Sequence, residues 1–145
     1  MLLITCQLAE TWHGVDVLEV QEIIRPAALT PVPQAPPAVA GILNLRGQIV
    51  TVLDLGRRFG AGPVAGGPSA RIVVVRDGEE SVGLLFDRVG DVITVSAGDR
   101  QPPPANLGPV QGRFFTGVIP TADGLVGVLD LAAVLTVPAA AGQEA

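Results

Sequence analysis

Few side chains in this sequence could act as nucleophiles, general bases or soft metal ligands. His13 is the only histidine and Cys6 the only cysteine, and the serines are Ser69, Ser81 and Ser96. A histidine-based triad would need His13 beside Cys6 or a serine, yet no serine lies in a nucleophile motif. One histidine and one cysteine are also too few ligands for a zinc site. The sequence therefore predicts no catalytic residue, no metal site and no cofactor.

Residues 60–65 formally fit the G-x-G-x-x-G/A fingerprint of dinucleotide-binding proteins. That fingerprint needs a strand before it and a helix that opens within it. Here Pro63 interrupts the pattern, and further Gly and Pro residues follow instead of a helix. Residues 60–69 are therefore predicted to form a flexible connector.

The side chain best placed to bind a partner lies at the bend of an apolar hairpin. Two apolar segments, residues 41–45 and 49–53, flank Arg46 and Gly47. Gly47 supplies the backbone freedom of a tight turn. The hairpin presents Arg46 on a rigid base, where its guanidinium can pair with a carboxylate or a carbonyl. An arginine that only solvates a turn explains this pattern equally well.

Composition excludes several classes of partner. The 145 residues suffice for one domain or two very small ones, and the net charge is -5, with all nine basic residues arginines scattered without a cluster. Nucleic acids and anionic membrane surfaces are therefore poor partners. Only 16% of residues are charged and the mean hydropathy is +0.50, so apolar surface must be hidden internally or against partners. The sequence shows no secretion signal and no transmembrane segment, and we expect a cytoplasmic protein.

Short Val, Ile and Leu segments alternate with Gly and Pro turn signals, which is typical of an all-β sandwich or barrel. The predicted strands are residues 2–8, 14–18, 41–46, 49–54, 71–76, 81–86, 89–95, 113–119 and 124–129. Helix is predicted only for the short segments 20–24, 55–59 and 131–135.

Three segments recur in the same order along the chain. Residues 14–24 resemble 83–93, a proline loop follows in each case, and residues 41–55 align with 117–131. This order predicts two similar β units joined near residues 60–69. Strands 49–53 and 72–75 are apolar at odd and even positions alike, so both of their faces need cover. The second unit or a partner can supply that cover.

Several separated segments resemble the CheW family. They are residues 14–17, 20–25 and 32–36 at the start, 41–47, 52–55 and 58–60 in the signature region, and 82–89 and 117–135 in the second half. The likeness covers about residues 2–137. It implies two small five-stranded SH3-like barrels packed together as a single domain over residues 1–137. Residues 138–145 are expected to form a disordered tail.

The resemblance also implies a non-enzymatic adaptor that couples methyl-accepting chemoreceptors to a CheA-type histidine kinase. In this family the receptor-facing surface uses a turn, which corresponds here to Asn44, Leu45, Arg46 and Gly47, and a second segment, which corresponds to Val20, Glu22 and Ile23. A second surface docks the regulatory domain of the kinase, and the sequence assigns no residue to it.

The sequence departs from the family at some positions, which leaves room for narrower or different functions. His13 stands where an aromatic residue is common, the loop at 102–104 is a rigid run of prolines, and the chain has no lysine. An adaptor that keeps only the receptor face or only the kinase face is therefore compatible with the sequence. A small-ligand or enzymatic β-barrel and a detached kinase regulatory domain are compatible with it too, but the length of the chain favours a free-standing adaptor.

Overall fold

The protein is an all-β structure with two five-stranded sheets and one two-stranded sheet, Asn106–Leu107 with Val110–Gln111. The computed structural model describes residues 1–26, 28–107 and 110–136, so the expected tail at 138–145 lies outside the described residues. The strands are β1 (Leu2–Leu8), β2 (Thr11–Asp16), β3 (Val20–Ile24), β4 (Val39–Leu45), β5 (Gln48–Asp54), β6 (Arg71–Asp77), β7 (Glu80–Phe86), β8 (Arg88–Thr94), β9 (Asn106–Leu107), β10 (Val110–Gln111), β11 (Phe115–Thr121) and β12 (Gly124–Leu129). The helices are α1 (Leu55–Arg58) and α2 (Leu131–Leu135). No helix in the described ranges is long enough to cross a membrane.

The two five-stranded sheets have the same plan. Sheet 1 has the order β11-β12-β2-β1-β8, and sheet 2 has the order β4-β5-β7-β6-β3 when read in the same direction. Each sheet contains one parallel pair, in which Gly14 of β2 faces Val128 and Gly83 of β7 faces Val52. Residues 14–24 and 83–93 thus occupy equivalent strands, as the sequence repeat predicts.

The sheets do not coincide with the two sequence repeats. Sheet 2 is built from β3 to β7, whereas sheet 1 combines the hairpin β1–β2 with β8, β11 and β12. The connector at 60–69 links α1 to β6, and the strands on either side of it, β5 and β6, both belong to sheet 2. The connector therefore lies between the two sequence repeats, but it does not lie between the two barrels. The hairpin β1–β2 lies in sheet 1, at the place that β6–β7 takes in sheet 2. Because these equivalent strands offer the same pairing edges, such an exchange of hairpins between repeats satisfies the same hydrogen bonds.

The predicted helix at 20–24 was wrong, because these residues form β3. They pair antiparallel with β6, with an irregularity between Val20 and Glu22. Val20, Ile23 and Ile24 are β-branched, and such side chains favour the pleated conformation when a partner strand is available. The other two predicted helices, α1 and α2, lie within one residue of their expected bounds.

Three apolar clusters explain why strands are apolar on both faces. In β6, Ile72 and Val74 pack in the barrel of sheet 2, while Val73 and Val75 pack on the opposite face in a large shared cluster. That shared cluster also contains Ile4 of sheet 1, so the two barrels cover each other. A smaller cluster around Leu3, Ile119 and Val128 fills the barrel of sheet 1. The cover predicted for 72–75 therefore comes from within the chain.

The two helices occupy equivalent places and are joined by one arginine. Asp54 accepts a hydrogen bond from the amide of Arg57, and Asp130 caps α2 in the same way. Arg58 is buried, and its guanidinium donates to the carbonyl oxygens of Ala133, Val134 and Thr136 at the end of α2, at 2.8, 2.8 and 2.6 Å. The second half is thereby tied to the first at the helices.

Candidate interaction surface

The β4–β5 turn is the tight turn that the sequence predicts. Arg46 and Gly47 are its two central residues, since Leu45 pairs with Gln48, and their φ angles are 51° and 86°. Positive φ at both central residues is the two-residue hairpin geometry that matches strand twist. The side chain of Asn44 accepts a hydrogen bond from the amide of Gly47 at 2.8 Å, which fixes the turn. Arg46 therefore projects from a defined base.

Arg46 forms a two-point ion pair with Glu22 of β3. One guanidinium nitrogen donates to Oε1 at 3.1 Å, and the other contacts Oε2. This hydrogen bonding lowers the pKa of Glu22 and raises the pKa of Arg46 above their ordinary values. β3 and β4 are the two edge strands of sheet 2, so the pair spans the seam of that barrel. The guanidinium remains accessible, because the Arg46 side chain is 70% exposed.

A groove of about 370 Å³ surrounds this ion pair. Its lining is Gln21, Glu22, Leu45, Arg46, Gln48 and Ser81. A hydrogen bond of 2.6 Å from the Ser81 hydroxyl to the Gln21 side chain lies at its edge. The groove is thus largely polar, and four of its six lining side chains are paired with one another, Arg46 with Glu22 and Ser81 with Gln21.

The other residues assigned to this surface divide between the core and solvent. Val20 is half-buried and packs against the shared cluster, so it supports β3 more than it offers contact area. Ile23 is 39% exposed but lies on the opposite face of β3 from Glu22, because adjacent strand residues alternate. The structure brings together Glu22, Leu45 and Arg46, and separates Ile23 from them.

Sequence reasoning missed Ile49, the second residue of β5, which is 61% exposed. Its neighbour Val50 is fully buried, so Ile49 points outward by strand alternation. By the same alternation Ile49 lies on the face of β5 opposite Gln48, which lines the groove, so Ile49 adds apolar surface outside the groove. The sequence shows that residues 49–53 are apolar on both faces of the strand, but it does not indicate which face stays exposed to solvent.

His13 and Cys6 are both completely buried. Burial raises the pKa of the Cys6 thiol to about 12 and lowers the pKa of His13 to about 4. The His13 ring stacks on Phe115 with centroids 5.7 Å apart, and its Nε2 lies 2.9 Å from the Thr11 hydroxyl. A protonated thiol and a neutral imidazole away from solvent are suited to packing, as in a core, and not to nucleophilic attack.

The arrangement of sheets, turn and ion pair can be compared with known proteins. The family model described as CheW-like domain matches residues 2–139. This chain belongs to the CheW family. Among its CheW relatives, the chemotaxis protein CheW of Treponema pallidum is 31% identical over 89% of this chain and 78% of that protein. The CheW protein of Rhizobium meliloti is 33% identical over 89% of the chain and 83% of the relative.

A solved CheW structure supports the same fold. The crystal structure of the scaffolding protein TtCheW from Thermoanaerobacter tengcongensis matches with a TM-score of 0.86 and 31% identity. The match covers 99% of this chain and 90% of that one. The predicted fold class, two small SH3-like barrels packed together, is therefore confirmed.

Proposed function

We propose that this CheW-family protein is a non-enzymatic cytoplasmic adaptor that couples methyl-accepting chemoreceptors to a CheA-type histidine kinase. In this proposal the cytoplasmic tip of the receptor binds at Glu22, Arg46 and the turn that holds them. Val20, Asn44, Leu45 and Gly47 support or border that surface, whereas Ile23 would meet the receptor only on the opposite face of β3. The regulatory domain of the kinase binds elsewhere on the protein.

The observation that carries the proposal is the exposed guanidinium on a rigid hairpin. The turn geometry and the Glu22 carboxylate hold Arg46 in place, so little conformational entropy is lost when a partner binds. Arginine is also enriched among the residues that dominate interface energetics. Ile49 adds exposed apolar area to the same hairpin, on the face away from the groove. A charged centre held on a fixed hairpin suits docking to a protein surface.

The buried state of the chemically capable side chains supports an adaptor over an enzyme. Cys6 and His13 are the only thiol and imidazole of the chain, and both lie in the core. Among the described residues, no three His, Cys, Asp or Glu side chains are grouped so as to hold a metal ion. In the groove beside Arg46, the Arg46–Glu22 and Ser81–Gln21 pairs occupy most of the polar side chains. These features favour binding to a protein over the conversion of a substrate.

Arg46→Ala tests the receptor surface. We expect the variant to fold normally but to bind a purified chemoreceptor cytoplasmic fragment roughly thirtyfold more weakly, the loss typical of truncating a dominant interface residue. Isothermal titration calorimetry measures the affinity, and thermal unfolding checks the fold. Arg57→Ala is the matched control, because Arg57 is an exposed arginine on α1, outside this groove.

A second measurement separates the two partners. The kinase regulatory domain should bind the wild-type protein and Arg46→Ala equally well, since its surface is separate in this proposal. Unchanged receptor binding by Arg46→Ala would remove the site assignment. Absence of wild-type binding to both fragments would remove the adaptor function, and binding to one fragment alone would leave an adaptor with a single face.

A further inference from the structure

Sheet 1 carries a groove that is equivalent to the one beside Arg46. It has a volume of about 340 Å³ and lies between the β8 edge and the β11–β12 turn. Thr121 pairs with Gly124 across a two-residue turn, as Leu45 pairs with Gln48 in sheet 2. The strand β8 also has a pairing irregularity at the place where β3 has one. The two grooves are therefore the same part of two similar barrels.

Sheet 1 has a carboxylate at the position of Glu22 but no arginine at the position of Arg46. Asp91 directly precedes Val92 on β8, as Glu22 directly precedes Ile23 on β3. The turn position of Arg46 is taken by Ala122. Among the described residues, neither Asp91 nor Asp123 of the adjoining turn makes an ion pair. This carboxylate site lacks the guanidinium that its counterpart receives from within the chain.

The groove of sheet 1 also has fewer side chains at its rim and carries an aromatic ring. Gly90 and Gly124 stand where sheet 2 has Gln21 and Gln48, so two side chains are missing from the rim. Trp12 occupies the strand position of Ser81 and packs against the core of this barrel. A Cβ on Gly90 would lie 2.8 Å from the Trp12 ring, so glycine is needed for the ring to lie there. The result is an indole that lines an open acidic groove.

Charge and shape select the ligand. Asp91 and Asp123 line the groove together with a single basic residue, Arg88, so the groove carries a net negative charge. Planar guanidinium groups stack on tryptophan and pair with carboxylates at two points, whereas ammonium groups act as point charges. The internal pair of sheet 2 shows the same two-point pairing of guanidinium and carboxylate.

We infer that the groove at Trp12, Asp91 and Asp123 is a second docking site, which receives an arginine side chain from a partner protein. The incoming guanidinium takes the place that Arg46 fills in sheet 2 and lies against the indole. The site belongs to the other barrel and goes beyond the proposed receptor surface. Loss of either site leaves the other intact.

The test uses a short peptide and the single tryptophan of the chain. The probe is acetyl-Gly-Arg-Gly-amide, and the control is the same peptide with citrulline, which has nearly the same shape but no charge. Because Trp12 is the only tryptophan, one indole N–H signal in a proton–nitrogen NMR spectrum reports on the groove. We expect the arginine peptide to shift that signal saturably at millimolar concentration, and the citrulline peptide to bind at least about tenfold more weakly.

Two variants and a matched control decide the role of the carboxylates. Asp91→Asn and Asp123→Asn should each weaken arginine-peptide binding up to about fivefold, the usual scale of an exposed ion pair, and the double variant up to about twenty-five-fold. Glu79→Gln removes an exposed charge outside the groove and should bind as the wild type does. Well-dispersed amide signals confirm that each variant folds. Equal binding of both peptides, wild-type affinity in the double variant, or an equal loss in Glu79→Gln would each overturn the inference.

Discussion

The buried contact between Arg58 and α2 gives a quantitative stability prediction. The Arg58 guanidinium makes three hydrogen bonds to carbonyl oxygens at the end of α2 and lies 4.8 Å from the centre of the Phe114 ring. Burial lowers the pKa of Arg58, and the nearby Arg113 adds to that effect. The interaction thus carries a desolvation cost that the three hydrogen bonds must offset.

Arg58→Met keeps the aliphatic stem and removes the guanidinium. Hydrogen bonds to charged groups contribute about 1.5–3 kcal/mol each, but three bonds from one group are not additive, and desolvation offsets part of them. Three carbonyl oxygens would lose their partner, one of them on the buried residue Val134. We therefore expect the free energy of unfolding to fall by about 3 kcal/mol and Tm by roughly 10 °C.

Urea unfolding followed by circular dichroism measures this loss. Arg57→Ala is the matched control on the same helix, since its side chain is half-exposed and only 3.9 Å from Asp54; it should cost less than about 1 kcal/mol. Arg58→Lys should fall between the two, because an ammonium group cannot reach three carbonyls in the same geometry. If Arg58→Met is no less stable than Arg57→Ala, the contact does not hold the two halves together as argued.

Three further predictions concern the core and the turn. Burial lowers the pKa of His13 from 6.5 to about 4. Between these two pH values the unfolded chain binds a proton at His13 and the native chain does not. The free energy of unfolding should therefore fall by about 3 kcal/mol as the pH drops from above 6.5 to about 4. Urea unfolding at neutral pH and near pH 4 measures this loss, and His13→Phe should remove that part of it. Gly47→Val should lower the free energy of unfolding by about 1–3 kcal/mol through backbone strain alone, since a Cβ at Gly47 meets no atom within 4 Å. Gly98→Val is the control for thermal unfolding, because Gly98 is equally open but does not have positive φ. Cys6 should resist a thiol reagent such as dithionitrobenzoate in native buffer and react once urea unfolds the chain, and rapid labelling of the native protein would contradict its burial.

Much of the fold could be predicted from local patterns. Strand positions follow from apolar segments between turn signals, and the turn at Arg46 and Gly47 follows from a glycine between two such segments. The repeat predicted the equivalence of the two sheets. The segment 20–24 was misassigned because its helix-like spacing is local, whereas its pairing with β6 is made more than 40 residues away in sequence.

The pairings within the candidate sites were beyond local patterns. Glu22 and Arg46 meet only because barrel closure brings together the two edge strands of one sheet. Arg58 finds its three acceptors 75 to 78 residues away, through the packing of two helices. Both arginines were visible in the family signature, but no spacing in the sequence indicates which groups they contact. The groove at Trp12 became apparent only when the equivalent positions of the two barrels could be compared.

The exchange of the β1–β2 hairpin has a consequence for synthesis on the ribosome. Sheet 2 uses only residues 20–86, so its strands can pair as soon as β7 has emerged. The first hairpin of the chain must wait for β8 and β12 before both of its edges are covered. During that interval its apolar residues, Leu3 and Ile4 among them, lie exposed to neighbouring nascent chains. Translation pauses after residue 86 should therefore increase aggregation, whereas pauses before the hairpin is complete should have little effect.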